Sequence, residues 1–454
     1  MTDARPIHGR RLAVSAGAAA LLAPLNSTMI AVALPAIRDE FGVGVVAVSW
    51  LVTSYLVAVA IAQPVGGRLG DAIGSLRLLR LGLLGMAALS VVAALSPSFG
   101  VLVATRSIQG VAAALLIPSA TAYLRKSVPF EQLPGVLGTN GAMISTGAAL
   151  GPVIGGLILA VGGWEWLFYL NLPVVAAVWL LLIPMPADQG KGLSTFRVAP
   201  GSLLALTMAF SGLALIGSGL RSGSAAFPWL AGGLAVAGVS GYGLLFRRSG
   251  DGVVDLKLFS AFAFSRAGAM TALSNLVMYT TLVTMPVYLR DEHGVSTGVI
   301  GMLLFAMSAT NVAAAPTGGV IATRFGIRAG LVSGSLVLAG SSLGVLAAVA
   351  TGGTLVLAVP LAFCGVGIGL AAAAQQSSGL GAWPVTVAGS AAGTLSFMRY
   401  VGSVAGASLL AAVLGGEPGP DQYTLLLTIL VGIAVANAML AWPPAPEVSV
   451  ARSG

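Results

Sequence analysis

The stretch Arg38-Asp39-Glu40-Phe41-Gly42-Val43 recurs as Arg290-Asp291-Glu292-His293-Gly294-Val295. Gly66-Gly67 recurs as Gly318-Gly319 at the same offset, and Gly74 recurs as Gly326. Each set occupies the same setting: the end of one apolar run, then the far end of the next. Chance can supply one such match, but three in one register argue for duplicated halves.

Around these marks the chain is a succession of apolar runs. Hydrophobic residues make up 57% of the 454 and charged residues only 8%, against about 25% charged in a soluble globular chain. Lipid must therefore cover much of the surface. A membrane-spanning helix needs about 20 mostly apolar residues, and a helix satisfies its own backbone polar groups where lipid cannot. Fourteen segments read this way: 13–36, 46–66, 78–96, 100–122, 136–159, 165–184, 200–219, 228–246, 267–289, 299–319, 329–350, 353–374, 388–413 and 423–442. The breaks between them carry Gly, Pro, Ser or charge, as turns should. The first run is too long for the ~7–15-residue core of a signal peptide, so it reads as an uncleaved helix despite Arg10-Arg11 before it.

The repeat aligns the first span with the ninth, not the seventh. The expected fold is an all-α polytopic membrane protein of 14 transmembrane helices. Two six-helix bundles, 1–190 and 263–454, form a parallel pseudo-repeat, with an inserted helix pair and linkers at 191–262. Repeated halves of this kind place a substrate site near the bilayer midplane between the bundles. Orientation follows from the cations. Of the 22 Lys and Arg, only Arg38, Arg221 and Arg290 fall opposite the N-terminus, and Arg106 and Arg399 fall within spans. The rest share the N-terminal side, so both termini are expected in the cytoplasm of a cell-membrane protein.

The formal charge of +8 does not point to nucleic acid, because the basic residues are scattered singly rather than gathered on one face. Cys364 is the sole cysteine and His8 and His293 the two histidines, which leaves no disulfide and no clustered metal ligands. No phosphate-binding Gly-x-x-x-x-Gly-Lys-Ser/Thr loop occurs. Neither an enzyme nor a cofactor or metal is expected. The partners expected are the lipid bilayer and a small-molecule substrate, with the chain acting as a monomer.

Four motifs resemble the major facilitator superfamily, specifically its fourteen-span drug:proton antiporter family, and the resemblance covers nearly the whole chain. The run Gly66-Gly67-Arg68-Leu69-Gly70-Asp71-Ala72-Ile73-Gly74-Ser75-Leu76-Arg77 looks like that family's loop between its second and third helices. The resemblance makes Gly67, Asp71, Gly74 and Arg77 a conformational latch. Arg106-Ser107-Ile108-Gln109-Gly110 looks like its buried-arginine motif. An arginine at that depth is costly unless it faces a polar interior, so Arg106 is expected to face the central cavity near the first helix. Gly147, Gly151, Pro152, Gly155 and Gly156 look like the family's exporter signature. Small residues at this spacing let backbones touch and Pro152 bends its helix, so the motif is read as an antiporter-type hinge. Leu25-Asn26-Ser27-Thr28 through Ala33-Leu34-Pro35 looks like the first-helix motif, but Asn26 stands where the family usually has aspartate. Glu165 likewise stands where it usually has arginine.

Proton coupling needs a titrating group in the permeation path, and burial raises a carboxyl toward working pH. None of the 14 acids falls mid-helix. Asp39, Glu40 and Glu165, with Asp291 and Glu292 in the second half, are the acids nearest a cavity mouth. Arg106, Gln109, Asp39, Glu165 and Arg399 are therefore the candidates for transport and coupling. Asn26, Gln63, Asn140, Met143, Asn275, Tyr279, Met302, Asn311 and Gln375 are the candidates for the cavity wall. With Arg106 and Arg399 facing inward, a neutral or anionic substrate is expected. The resulting expectation is a secondary transporter that exports a small organic compound (a drug, an antibiotic or a metabolite) by alternating access with the proton as coupling ion. A passive or proton-independent transporter of the same fold is the alternative.

Overall fold

A computed structural model describes residues 6–197, 199–219, 227–249, 252–295, 297–351, 355–414 and 419–443. The helices are α1 (Pro6–Phe41), α2 (Val45–Ile73), α3 (Ser75–Ala94), α4 (Phe99–Ala114), α5 (Leu116–Ser127), α6 (Leu133–Val161), α7 (Glu165–Tyr169), α8 (Asn171–Leu182), α9 (Pro200–Gly219), α10 (Phe227–Ser249), α11 (Phe262–Asp291), α12 (Thr297–Phe325), α13 (Ile327–Thr351), α14 (Ala358–Gly381), α15 (Ala388–Val413) and α16 (Pro420–Ala441). Two breaks interrupt longer rods. Pro118 and Pro173 cannot donate to the carbonyls one turn back, Ala114 and Tyr169, and the helices part there as α4–α5 and α7–α8.

Among the described residues, 12 helical rods are long and apolar enough to cross a membrane, counting α4–α5 and α7–α8 as one each. The two expected spans outside that set are α9 and α15. The side chains of α9 are described without a gap over Pro200–Leu213, and α15 carries Arg399 among many Gly and Ser.

The repeat is visible in the backbone. Gly42 and Gly294 both sit in the left-handed region, at φ 61° and 60°, just after α1 and α11. Gly74 and Gly326 do so at 98° and 90°, between α2 and α3 and between α12 and α13. A side chain is disfavoured in that conformation, so the repeated glycines mark repeated turns.

Packing repeats as well. Helices α1 and α6 lie against each other, and so do α11 and α15. On α6, Gly147, Gly151 and Gly155 face Leu21, Thr28 and Met29 of α1, where any Cβ would press on carbonyl or side-chain atoms. On α15, Gly402 faces Ala272 and Gly406 faces Leu276 and Thr280 of α11. The helices α1–α8 meet α11–α16 along α2 with α15 and α6 with α12. Both meetings are made by glycines. Gly67 lies on Gly389 and Gly393, and its repeat mate Gly319 lies on Gly135 and Gly138. These close approaches sit at the C-terminal ends of α2 and α12 and the N-terminal ends of α15 and α6, so all four helix ends belong to one end of the molecule. Helices α9 and α10 interlock through Gly212 on Ala231 and Ala235 and Gly238 on Ala205 and Ala209, and α9 rests on α15 and α2.

The segment after α8 turns back across the same end. The Lys191 and Gly192 amides donate to the Asp71 and Ala72 carbonyls at 2.9 Å each, which satisfies the terminal acceptors of α2. Asp188 then caps α3, accepting from the Ser75 and Leu76 amides at 2.7 and 2.8 Å, while Lys126 reaches its carboxylate at 3.0 Å. Burial opposes the charge of Asp188, but the two amides and Lys126 outweigh it and hold the carboxyl below its ordinary value. A depressed carboxylate contributes stability that is fully present above its unfolded-state pKa of about 4 and is lost as pH falls through the folded-state value. We expect Asp188→Ala to cost roughly 0.5–2 kcal/mol at neutral pH, the usual worth of such a cap, read as a lower thermal midpoint in detergent. The gap between variant and native chain should narrow below about pH 4. A gap that does not change with pH would contradict the assigned charge.

Candidate functional site

A cavity of about 930 Å³ lies between the two groups of helices. It is large enough for a drug-sized molecule, since such sites run to roughly 300–1,000 Å³. Its wall is unequal. From α1, α2, α5 and α6 come mostly apolar or small residues, including Leu56, Val57, Ile144, Ala148 and Val153, with Thr28, Thr53, Thr121 and Ser145 as the hydroxyls. From α11, α12, α14 and α15 come Thr271, Ser274, Asn275, Tyr279, Asn311, Gln375, Gln376, Arg399 and Tyr400. Arg399 is the one charged residue among those lining it.

Four of the nine expected wall residues are in place: Asn275, Tyr279, Asn311 and Gln375. Part of this wall is cross-linked. Gln375 donates to Ser274 Oγ at 3.2 Å, Asn437 donates to the same oxygen at 3.0 Å, and Asn275 Nδ2 donates to the Thr271 carbonyl at 2.8 Å. Thr271, Ser274 and Tyr400 were not anticipated. Thr271, Asn275 and Tyr279 recur at helical spacing on α11, and that polar stripe in an apolar helix is the signal that finds them.

The other five lie elsewhere. Asn26 is buried and accepts a hydrogen bond from Arg106. Gln63 and Asn140 are fully buried in helix contacts, and neither amide has a hydrogen-bond partner. Met143 packs against Gly17 of α1. Met302 is 65% exposed on the outer face of α12, one residue and about 100° around the helix from the lining residue Gly301.

Arg106 does not face this cavity, contrary to expectation. It is fully buried among α1, α2, α4 and α7, where neutral partners hold it. Its Nη1 donates to Asn26 Oδ1 and to Gln109 Oε1, the latter at 2.6 Å. Its guanidinium also lies 4.3 Å from the Tyr55 ring centre, close enough for a cation–π contact. Gln109 passes the chain on to Ser90 at 2.8 Å, and Asn171 joins at the same oxygen at 2.9 Å. The site is an amide-bound cation, with no carboxylate paired to it among the described residues.

Asp39, Glu40, Glu165 and Glu292 do not line the cavity either. Asp39 is exposed and pairs with its neighbour Arg38 at 2.7 Å. Glu40 accepts from Trp164 Nε1 at 2.7 Å. Glu165 is partly exposed at the start of α7, folded against Gly163. The side chain of Asp291 lies outside the described residues, and Glu292 is exposed.

Of the residues expected to form a latch, Asp71 bonds to α15 and not to an arginine. Asp71 Oδ1 accepts from the Gly389 amide and Oδ2 from the Ser390 amide and hydroxyl, each at 2.8 Å. The carboxylate thus caps the N-terminus of α15, where the helix dipole and free amides favour an anion. Lys126 stands 3.8 Å away. Arg77 is exposed and takes no part. It points off α3, whose N-terminus is already capped by Asp188. Gly74 is required twice, by its positive φ and by the Asp188 carbonyl that any Cβ would strike. In the hinge motif, Gly147, Gly151 and Gly155 form the contact with α1, Pro152 reaches the cavity wall, and Gly156 touches nothing. Sequence reading missed Ser390, Lys126 and Asp188. A Gly-Ser pair opening a helix is the available signal for the first, while the other two are joined only by the fold.

Known proteins agree with this architecture. The sequence pattern of the Major Facilitator Superfamily matches residues 16–407 and also 267–453. An uncharacterized MFS-type transporter of Bacillus subtilis, YvkA, is 30% identical over 436 residues, covering 95% of each chain. The tetracenomycin C resistance and export protein of Streptomyces glaucescens is 28% identical over 437 residues, covering 93% of this chain and 80% of that one. Among solved structures, the proton:xylose symporter XylE aligns with a TM-score of 0.71 at 15% identity, over 96% of this chain and 95% of the other. The chain belongs to the Major Facilitator Superfamily and is a multi-span membrane transporter, not an enzyme.

Proposed function

We propose that this transporter exports a small organic compound from the cell by alternating access, as a monomer with fourteen spans. In this reading residues 1–190 and 263–454 are the two rocking bundles, 191–262 holds the inserted pair α9–α10, and α9 and α15 cross the bilayer with the rest. Both termini face the cytoplasm. The observation that carries the reading is the cavity between the groups, sealed at one end by the glycine contacts and the Asp71 cap. With the termini inside, that sealed end is cytoplasmic, so the cavity communicates outward. The resemblance to an exporter of tetracenomycin C supports the outward direction, and so does the glycine seam between α1 and α6.

Capping by Asp71 holds the outward-facing arrangement, because the carboxylate and the α15 amides separate when the cytoplasmic end opens. Hydrogen bonds to a charged group are worth about 1.5–3 kcal/mol. Asp71→Asn should therefore shift the population toward the inward-facing form by roughly tenfold or more. The readout is labelling of a cysteine placed at the cavity residue Ser403 by an impermeant thiol reagent added outside, with the buried Cys364 replaced by Ala. Unchanged labelling would remove Asp71 as the latch.

The proton is the coupling ion expected from the family resemblance. A second, proton-independent reading is favoured by the absence of any acid from the cavity wall among the described residues and by Asn26, an amide, at the Arg106 site. Flux of fluorescent substrates in proteoliposomes with an imposed pH gradient separates the two. Coupled export should fall at least several-fold when the gradient is collapsed and should respond to Glu165→Gln. Flux that is indifferent to both establishes the second reading, and absence of flux for every compound tried sinks the transport proposal for this cavity.

A further inference from the structure

We propose that the cavity takes an amphipathic organic anion, its carboxylate or similar group held at Arg399 and its apolar body laid against α2 and α6. This rests on the reading of the cavity as the transport site. Arg399 stands halfway along α15, in the cavity wall, and no carboxylate lies within 4 Å of it among the described residues. A guanidinium in a low-dielectric chamber is costly to leave unpaired. Arg106 shows how this chain treats a cation it does not expose: one nitrogen bonds two amide oxygens and the guanidinium lies over an aromatic face, while Nε and Nη2 are buried without a hydrogen-bond partner. Arg399 is only partly buried and lines the cavity, and its side chain donates no hydrogen bond among the described residues. A bound anion would supply the counter-charge that the described residues do not.

The surroundings fit a ligand with two ends. Asn275, Tyr279, Gln375 and Tyr400 share the side of the cavity with Arg399 and supply donors for a bound oxyanion. Leu56, Ile144, Ala148 and Val153 face it from the other group of helices and offer only hydrocarbon. An arginine fork matches a carboxylate with two parallel hydrogen bonds, which adds direction as well as strength. A lipophilic cation meets the reverse situation. It would be brought toward a like charge with no acid in the wall to offset the repulsion, and such an unpaired charge discriminates strongly against the wrong ligand.

A matched pair of xanthene dyes tests this: fluorescein, an anion, and rhodamine 123, a cation of the same ring system. Binding to the purified full chain in detergent is followed by fluorescence anisotropy, and flux by proteoliposome assay. We expect the native chain to prefer fluorescein by at least about tenfold in Kd, the scale of one hydrogen-bonded charge. Arg399→Gln should abolish the preference and Arg399→Lys should retain much of it. If Arg399→Gln does not fold, the preference of the native chain and its loss in high salt decide the matter. Equal or tighter binding of rhodamine 123 by the native chain would overturn the proposal, as would fluorescein binding that is untouched in a folded Arg399→Gln variant, or no binding of either dye. Arg399-dependent binding of fluorescein without any flux would leave the anion site standing and overturn the transport reading instead.

Discussion

The two groups of helices touch where glycine lets one backbone lie on another. Gly67 meets Gly389 and Gly393, and Gly319 meets Gly135 and Gly138. Hydrocarbon gives packed helices little hydrophobic reason to associate, so close van der Waals approach of small residues must supply the contact. Both seams lie at one end, and that placement leaves the space beyond them open as a cavity. Every feature of the candidate site depends on it: the wall contributed by both groups, the one charged residue among the described residues of that wall, and the helix end on which Asp71 acts.

The seams are related by the repeat, but the polar interactions laid over them are not. Asp71 caps α15 beside the first seam. At the matching place beside the second stands Thr323, whose hydroxyl turns back to the Gly319 carbonyl on its own helix at 2.8 Å. One seam is therefore reinforced by charge and the other by packing alone. The cavity has the same imbalance, with its amides and its charge gathered on α11, α12, α14 and α15. Duplication supplied a symmetric frame, and its chemistry resides in the differences.

Much of the frame was legible in the sequence because it rests on composition and on glycine. Apolar runs of the right length give helices, and Gly42, Gly74, Gly294 and Gly326 give the turns, whose positive φ leaves little choice of residue. The wall was legible where polarity follows helical period, as at Asn275 and Tyr279. It was not legible where two polar residues compete for different interiors. Arg106 and Arg399 look alike in sequence, each alone in an apolar helix, yet the first has Asn26 and Gln109 within reach and is enclosed, while the second has no such partners and lines the cavity. Gln63 and Asn140 illustrate the same limit. Amides at that depth usually face something polar, but which neighbours a helix rotation brings to them is a tertiary matter. Asp188 and Lys126 were unreadable because their pairing joins residues that only the return of the chain across α2 brings together.

That return also constrains the helix pair that follows it. Residues 191 and 192 are stitched to the end of α2, and on the far side of the pair Arg68 of α2 donates to the Gly252 carbonyl. Helices α9 and α10 are thus moored at both ends to one group of helices, while Phe210 of α9 rests on Phe397 of α15, ring centres 5.2 Å apart, in the other. The Ser408 hydroxyl of α15 also donates to the Leu213 carbonyl of α9 at 3.3 Å, so the pair is tied to both groups. The pair is thereby a strap laid across the junction of α2 and α15, fastened on both sides.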